Sequence, residues 1–173
     1  LLAQTTQSVR HAETLARLLT FETVTHDDET AIDWDRFQAM QAFLATRFPL
    51  TFVQLAPQRV NEHGLLFTWY GTSRELEPVV LMAHQDVVPI APGTEDGWPH
   101  PPFGGVIADG FIWGRGAMDD KASLAAILEA TEALLQAGFT PRRTIYLAFG
   151  HDEEIGGERG AGAMAALLQA QGV

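Results

Sequence analysis

The stretch Pro78-Val79-Val80-Leu81-Met82-Ala83-His84-Gln85-Asp86 is an apolar run that ends abruptly in polar residues. A continuous apolar run of this kind is typical of a β-strand covered on both faces. The polar residues therefore follow a predicted strand, and ligands collect at the carboxyl ends of strands in open α/β sheets. On its own, the pair His84 and Asp86 is equally consistent with a strand-end histidine beside a solvated aspartate.

Two further stretches place acidic side chains after predicted hairpins or strands. Gly114-Arg115-Gly116-Ala117-Met118-Asp119-Asp120-Lys121 follows a hairpin signal at Asp109-Gly110, and Asp152-Glu153-Glu154 follows a buried strand at 144–149. One aspartate of the second stretch suits the N-cap of the next helix, and Asp119 is the candidate to bridge two metals. Adjacent acids repel one another unless they fan into water or share cations.

Histidine together with carboxylates is the ligand mix that suits a divalent metal such as zinc. Asp86 can accept a hydrogen bond from one ring nitrogen of His84 and thereby aim the other nitrogen at a metal. Of the adjacent Glu153 and Glu154, one can ligate metal while the other takes a proton from a metal-activated water. The three stretches therefore predict a metal-dependent hydrolase.

The rest of the chain predicts an α/β domain. Predicted helices cover 6–19, 34–48, 120–137 and 164–173, predicted strands cover 51–55, 64–70, 78–83 and 144–149, and 21–35 is a polar loop. In the helix at 120–137, the inward side chains are expected to be Leu124, Ile127, Leu128, Leu134 and Leu135. Strands that alternate with helices indicate a mostly parallel central sheet.

Composition excludes several function classes. The chain has 173 residues with 22 acidic and 11 basic side chains, a net charge of −11, which argues against nucleic acid and anionic membranes as partners. The absence of cysteine excludes disulfides, thiolate metal sites and cysteine nucleophiles. No apolar run is long enough to span a bilayer. The sequence leaves the compartment open.

One glycine-rich stretch supports an alternative. Gly160-Ala161-Gly162-Ala163-Met164-Ala165 fits the pattern G-x-G-x-x-G/A of a dinucleotide-dependent oxidoreductase. That pattern should directly follow a strand, whereas the predicted strand ends well before Gly160. Close backbone packing at a helix start is therefore the favoured interpretation. A non-catalytic metallopeptidase-like binding module is the second alternative, and the intact Glu153-Glu154 pair argues against it.

Taken together, the three stretches resemble the motifs of the M20 family of metallopeptidases, over roughly 15–162. Leu81 to Pro89, Trp113 to Lys121 and His151 to Gly157 look like its three metal motifs, in the same order. Within the family, Gln85 and the stretch 92–103 resemble carboxypeptidase S and the related N-acyl-amino-acid hydrolases.

This resemblance implies the role of each site residue. His84 would ligate one zinc and Asp86 would orient it, Asp119 would bridge two zincs, Glu154 would ligate the other zinc, and Glu153 would be the general base. A complete active site would hold two Zn²⁺, although Co²⁺ or Mn²⁺ suits the same donors. Water between the metals would attack an amide carbonyl.

The resemblance also implies the architecture and the substrate. The fold would be a three-layer α/β/α zinc-exopeptidase-like catalytic domain, with 1–173 as its N-terminal part and its C-terminal half absent. An inserted domain, also absent, would serve as a lid and form a homodimer. The substrate would be a small peptide or an N-acyl amino acid cleaved beside a free carboxylate, and residues 1–173 alone are expected to be inactive.

Overall fold

The computed structural model describes the backbone of residues 6–173 and the side chains of residues 8–173. Its helices are α1 Thr6–Leu19, α2 Trp34–Arg47, α3 Pro49–Gln54, α4 Lys121–Gln136 and α5 Ala163–Ala170. Its strands are β1 Gln58–Val60, β2 Gly64–Trp69, β3 Val79–His84, β4 Val106–Ala108, β5 Phe111–Trp113 and β6 Ile145–Gly150. Within the described residues, no helix has the length and apolarity needed to cross a bilayer.

Four strands form the main sheet in the order β1-β2-β6-β3. A tight turn after Val60 makes β1 and β2 an antiparallel hairpin, and β2 is also antiparallel to β6. The pair β3 and β6 is parallel, with His84 opposite Gly150 at its carboxyl end. The predicted α/β class is confirmed, the sheet is mixed, and the two strands that precede site residues end at the same edge.

Helices cover both faces of this sheet. Alternate residues of β2 and β6 point to opposite sides, because side chains alternate along a strand. One face packs on α1, α2 and α4 through Leu65, Phe67, Leu147 and Phe149, and the other on α5 through Leu66, Tyr146 and Ala148. Each fully buried leucine or phenylalanine contributes about 1.5–3 kcal/mol. The predicted α/β/α layering is therefore confirmed.

The strand predicted at 51–55 is wrong, because this segment belongs to helix α3. Pro49 occupies the first turn of that helix, where its missing N–H costs nothing. The Glu132 carboxylate accepts hydrogen bonds from the backbone N–H of Leu50 and Thr51 at 3.0 and 2.8 Å. A carboxylate at a helix N-terminus is stabilising, and this long-range contact overrides the local β-propensity.

The prediction that the 78–83 strand is covered on both faces is also wrong. Val79, Val80, Leu81 and Met82 are 39%, 41%, 42% and 56% exposed. Strand β3 forms the edge of the sheet and pairs only with β6 among the described residues. It is therefore an apolar edge strand, a surface that soluble proteins usually protect.

The inward face of α4 is predicted correctly at Leu124 and Leu128, which are fully buried. Leu134 is 40% exposed, contrary to the prediction. The buried positions of α4 follow a spacing of three or four residues that continues to Leu135 and leaves Leu134 off the stripe. The Asp109-Gly110 hairpin joins β4 to β5 as predicted, with both residues at positive φ.

Candidate metal centre

The three polar stretches meet at the carboxyl edge of β3 and β6. His84 is the last residue of β3, Glu153 and Glu154 lie on the 3-10 turn that follows β6, and Asp119 lies just before α4. One donor atom from each of His84, Asp119 and Glu154 lies within 4.8 Å of the others. The fold thus brings together the side chains that the sequence singled out.

Asp86 forms the buried base of this site. Its side chain is fully buried, and Oδ1 lies 3.2 Å from His84 Nδ1. The backbone N–H groups of Glu153 and Glu154 donate to its two oxygens at 3.2 and 3.0 Å, and Thr25 Oγ1 donates to Oδ2 at 2.9 Å. Burial raises the pKa of Asp86, but these hydrogen bonds outweigh it and lower the pKa. Asp86 therefore stays ionised and holds the first and third stretches together.

The His84 ring lies between two carboxylates. Its Nδ1 faces Asp86, while Nε2 lies 2.7 Å from Asp119 Oδ1 and 3.8 Å from Glu153 Oε2. Burial lowers the pKa of His84, but the hydrogen bonds to Asp86 and Asp119 and the nearby negative charges raise it to about 9. A positive charge is thus favoured at Nε2, and a divalent cation can replace the proton there.

The remaining acids face solvent. The side chains of Asp119 and Glu153 are 77% and 58% exposed, and Glu154 is half-buried. Burial and the charge of Asp119 raise the pKa of Glu154. Crowded like charges of this kind are relieved by a bound cation. One imidazole and two carboxylates fit zinc, although three donors are fewer than the four of a closed zinc site.

Gln85 points to the opposite side of the chain from His84. It is fully buried, and its Nε2 donates to the carbonyls of His63, Phe149 and Gly150 at 2.9, 2.9 and 3.2 Å. Its Oε1 accepts from Gln41 Nε2 at 2.7 Å. These bonds fix the ends of β3 and β6 against each other beneath the site.

Asp152 has a structural role. Its carboxylate accepts hydrogen bonds from the backbone N–H of Arg159 and Gly160, each at 2.8 Å. A Cβ on Gly160 would collide with Asp152 Oδ1, so the glycine is needed for this close approach. Because these amides are already bonded, the glycine-rich stretch serves packing, and a dinucleotide site is not favoured.

Arg115 lies in the turn of the second stretch. Its guanidinium lies over the ring of Trp98 at 5.3 Å, and its backbone N–H donates to the Pro102 carbonyl at 2.7 Å. It therefore ties the second stretch to the loop at 92–103 through a cation–π contact.

Sequence reasoning missed the supporting role of the segment at 21–35, which was predicted to be a polar loop. Thr23 and Thr25 are buried, and Val24 forms a parallel β-bridge with Val87. The alternation Thr23-Val24-Thr25 is a short β-like pattern that could have signalled this pairing.

Sequence reasoning also missed Lys121. It is fully buried, and its Nζ donates to the carbonyls of Leu18 and Phe21 at 3.1 and 2.7 Å. Burial lowers the pKa of Lys121 to about 7, against the opposing effect of the Asp86 charge. Lys121 thereby joins the end of α1 to the start of α4, close in sequence to Asp119. No periodic pattern in the sequence predicts such a contact.

A small cavity of about 220 Å³ opens beside the acids. Its lining includes apolar Met82 and Ala83 of β3, Ala161, and the side chains of His84 and Glu153. An apolar recess next to charged groups is typical of a site that binds a small organic molecule.

A histidine and carboxylate cluster at the carboxyl edge of an α/β sheet is the kind of site found in metal-dependent hydrolases. The family model described as Peptidase family M20/M25/M40 matches residues 80–173. The chain belongs to this peptidase family, which confirms the resemblance found in the sequence.

Related proteins agree with this assignment. Probable carboxypeptidase S-like 2 of Dictyostelium discoideum is 43% identical over 159 residues, covering 91% of this chain and 30% of that protein. The N-fatty-acyl-amino acid synthase/hydrolase PM20D1 of Mus musculus is 48% identical over 133 residues, covering 76% of this chain and 26% of that protein. The chain thus spans less than a third of the length of either relative.

The fold has solved counterparts. The M20 family metallo-carboxypeptidase Sso-CP2 from Sulfolobus solfataricus superposes with a TM-score of 0.65 at 23% identity, over 84% of this chain and 31% of that one. This likeness supports the α/β fold derived from the sheet order and the two packed faces.

Proposed function

We propose that the complete protein containing residues 1–173 cleaves an amide or peptide bond next to a free carboxylate, as a carboxypeptidase or an N-acyl-amino-acid hydrolase. The observation that carries this proposal is the convergence of donors from His84, Asp119 and Glu154 within 4.8 Å, with Glu153 at the rim. Family membership and the names of the relatives support the reaction class.

His84, Asp119 and Glu154 would hold the metal, and in a complete site with two zinc ions Asp119 would be the ligand that both share. Cobalt or manganese suits the same imidazole and carboxylate donors. When bound, zinc supplies a water of lowered pKa and polarises the carbonyl of the substrate. Asp86 orients the His84 ring through two contacts with Nδ1, from its backbone carbonyl at 3.0 Å and its carboxylate at 3.2 Å.

Glu153 is the proposed general base. Its backbone N–H is held by Asp86, while its side chain is 58% exposed and reaches to 3.8 Å from His84 Nε2. From this position its carboxylate can take a proton from the attacking water and return it to the leaving amine. The half-buried Glu154 is better placed as a ligand, because one of its carboxylate oxygens lies within 4.8 Å of donor atoms of His84 and Asp119.

Residues 1–173 are proposed to form the N-terminal part of the catalytic domain. The exposed apolar edge of β3 supports this, because such an edge is normally covered in a finished domain. The set of three donors also leaves room for ligands from elsewhere in the polypeptide. An inserted lid domain that forms a homodimer belongs to the same proposal. Robust zinc-dependent amidase activity from residues 1–173 purified alone would contradict it.

Replacement of the base tests the assignment of Glu153. In the complete protein, Glu153→Gln should lower turnover by about 10²–10⁴-fold, the usual contribution of a general base, while the bound zinc is unchanged. Glu158→Gln is the matched control, since Glu158 is an exposed glutamate a few residues further along the chain. Wild-type turnover in the Glu153→Gln variant would show that the base is assigned wrongly.

Substrate and metal are tested together. A dipeptide and an N-acyl amino acid with free carboxylates should be cleaved, and their carboxamide analogues should be poor substrates. A chelator should abolish the activity, and added zinc should restore it. Equal cleavage of acids and carboxamides would contradict the proposed requirement for a free carboxylate.

A further inference from the structure

We propose that Thr25 is a positioning residue of the metal centre, which acts through Asp86 on the ring of His84. This inference rests on the proposed function, because it assumes that His84 ligates a metal. Thr25 lies far from His84 in sequence, in a segment without any metal-ligand motif.

The contact between Thr25 and Asp86 is buried. Thr25 is 2% exposed, and its hydroxyl donates to Asp86 Oδ2 at 2.9 Å. The other oxygen, Oδ1, lies 3.2 Å from His84 Nδ1, which also lies 3.0 Å from the backbone carbonyl oxygen of Asp86. Among the described residues, the Thr25 hydroxyl and the His84 ring are the two side-chain groups that hydrogen-bond the Asp86 carboxylate. The hydroxyl therefore helps to set the rotation of the carboxylate that aims the ring.

The backbone fixes the position of the hydroxyl. Thr25 N–H donates to the Val87 carbonyl at 3.2 Å, and Val87 N–H donates to the Thr23 carbonyl at 3.0 Å. The parallel bridge between Val24 and Val87 thus places Thr25 beside Asp86 independently of any side-chain contact. The β-branched side chain of threonine has few χ1 rotamers, which further restricts the hydroxyl.

Removal of the hydroxyl would leave Asp86 Oδ2 with the Glu154 N–H as its hydrogen-bond donor. The carboxylate could then rotate, and the His84 ring would lose part of its fixed orientation. Residues that orient a metal-binding histidine typically contribute 10–100-fold to metal affinity. A weaker zinc site is therefore the expected consequence.

Thr23 provides a matched control within the same segment. It is fully buried, and its hydroxyl donates to the Gln85 carbonyl at 2.7 Å. Its side chain thus makes a buried hydrogen bond to a neutral carbonyl, and its hydroxyl does not donate to the Asp86 carboxylate. Thr23→Val and Thr25→Val should cost similar stability, whereas zinc affinity should respond only to Thr25→Val.

The experiment measures zinc affinity of the complete protein by competition with a chromogenic chelator, and thermal unfolding of the zinc-free protein. Thr25→Val should weaken zinc binding about 10–100-fold. Thr25→Ser, which keeps the hydroxyl, should retain most of the affinity, and Thr23→Val should retain it while its unfolding temperature falls as in Thr25→Val. If the valine variant does not fold, Thr25→Ser should bind zinc more tightly than Thr25→Ala.

Three results would overturn this role of Thr25: wild-type zinc affinity in Thr25→Val, an equal loss in Thr23→Val, or equal affinity in Thr25→Ser and Thr25→Ala. His84→Ala separates this inference from the proposed function. If His84→Ala binds zinc like the wild type, the metal site itself is assigned wrongly. If His84→Ala loses zinc and Thr25→Val does not, only the role of Thr25 is wrong.

Discussion

The inner side of the candidate metal centre, comprising His84, Gln85 and Asp86, differs in construction from its outer side, comprising Asp119, Glu153 and Glu154. The three inner residues are buried, and Gln85 and Asp86 are fully so. On the outer side, the side chains of Asp119 and Glu153 are 77% and 58% exposed.

The difference extends to hydrogen bonding. The polar atoms of the inner side are bonded to groups from several other parts of the chain, among them Thr25, Gln41 and the amides of Glu153 and Glu154. On the outer side, Asp119 Oδ1 lies 2.7 Å from His84 Nε2, and the exposed carboxylates of Asp119 and Glu153 are accessible to a cation or a proton. Rigid orientation and chemical reactivity are thus assigned to different layers of the same site.

This comparison predicts that inner substitutions reduce stability and that outer substitutions reduce metal binding or activity. The largest loss of stability is expected for Asp86→Ala. It leaves the Thr25 hydroxyl and two backbone N–H groups without their carboxylate partner, and His84 Nδ1 keeps only the backbone carbonyl of residue 86, at 3.0 Å. Breaking a buried charged pair costs about 3–5 kcal/mol. Urea unfolding of the metal-free complete protein measures it, with exposed Asp96→Ala as control. Equal stability of both variants would remove the distinction between the two sides.

A smaller loss is expected for Gln85→Leu, which removes the side-chain amide but keeps much of the volume. The carbonyls of His63, Phe149 and Gly150 would lose a donor, and an unsatisfied buried group costs about 1–3 kcal/mol. The same unfolding assay measures this change. Zinc affinity should change less than in His84→Ala, and the reverse order would contradict a purely supporting role for Gln85.

Low pH should reduce the free energy of unfolding through two buried histidines, His63 and His151. His63 and His151 are buried, and burial lowers the pKa of both, with each other's proximity adding to the effect at His63. Glu62 and Arg59 act on His63 in opposite directions, and Asp152 and Asp86 partly offset the effect at His151. The unfolded chain takes up protons below its histidine pKa of about 6.5, whereas the folded chain resists protonation. Stability present above about pH 6.5 is therefore lost as the pH falls.

The variant His63→Phe tests this acid sensitivity, because it removes the titratable ring but keeps an aromatic ring beside Trp34. In the wild type, the centroids of the stacked His63 and Trp34 rings are 4.2 Å apart. The loss of stability between about pH 7.5 and pH 5.5 should be smaller in the variant, by at most about 1.4 kcal/mol per pH unit. Urea unfolding at both pH values measures the difference. An identical pH dependence in both proteins would show that His63 is not responsible.

The smallest change in stability is expected for Asp119→Asn on the outer side. An exposed carboxylate contributes about 0–1 kcal/mol through an ion pair, and asparagine keeps an acceptor near His84. Zinc content, measured by metal analysis after gel filtration, should nevertheless fall. Unchanged zinc content would argue that Asp119 is not a ligand.

Local patterns were sufficient for much of the fold. The apolar runs at 78–83 and 144–149, the Asp-Gly hairpin and the stripe of α4 predicted the elements that carry the site. Two of the wrong predictions have the same cause, which is that tertiary packing overrides the local sequence pattern. The segment at 51–55 became helical because Glu132 binds its N-terminus, and β3 is exposed because it lies at the sheet edge.

The sequence by itself determined which side chains follow the strands and turns, because strand periodicity, glycine turns and helix starts depend on neighbouring residues. It therefore indicated His84, Asp86, Asp119, Glu153 and Glu154 as one candidate site. Only the tertiary structure decided what orients them. The contacts of Thr25 with Asp86 and of Lys121 with Leu18 and Phe21 join residues 61 or more positions apart. Such contacts depend on how elements pack in space, which no local pattern records.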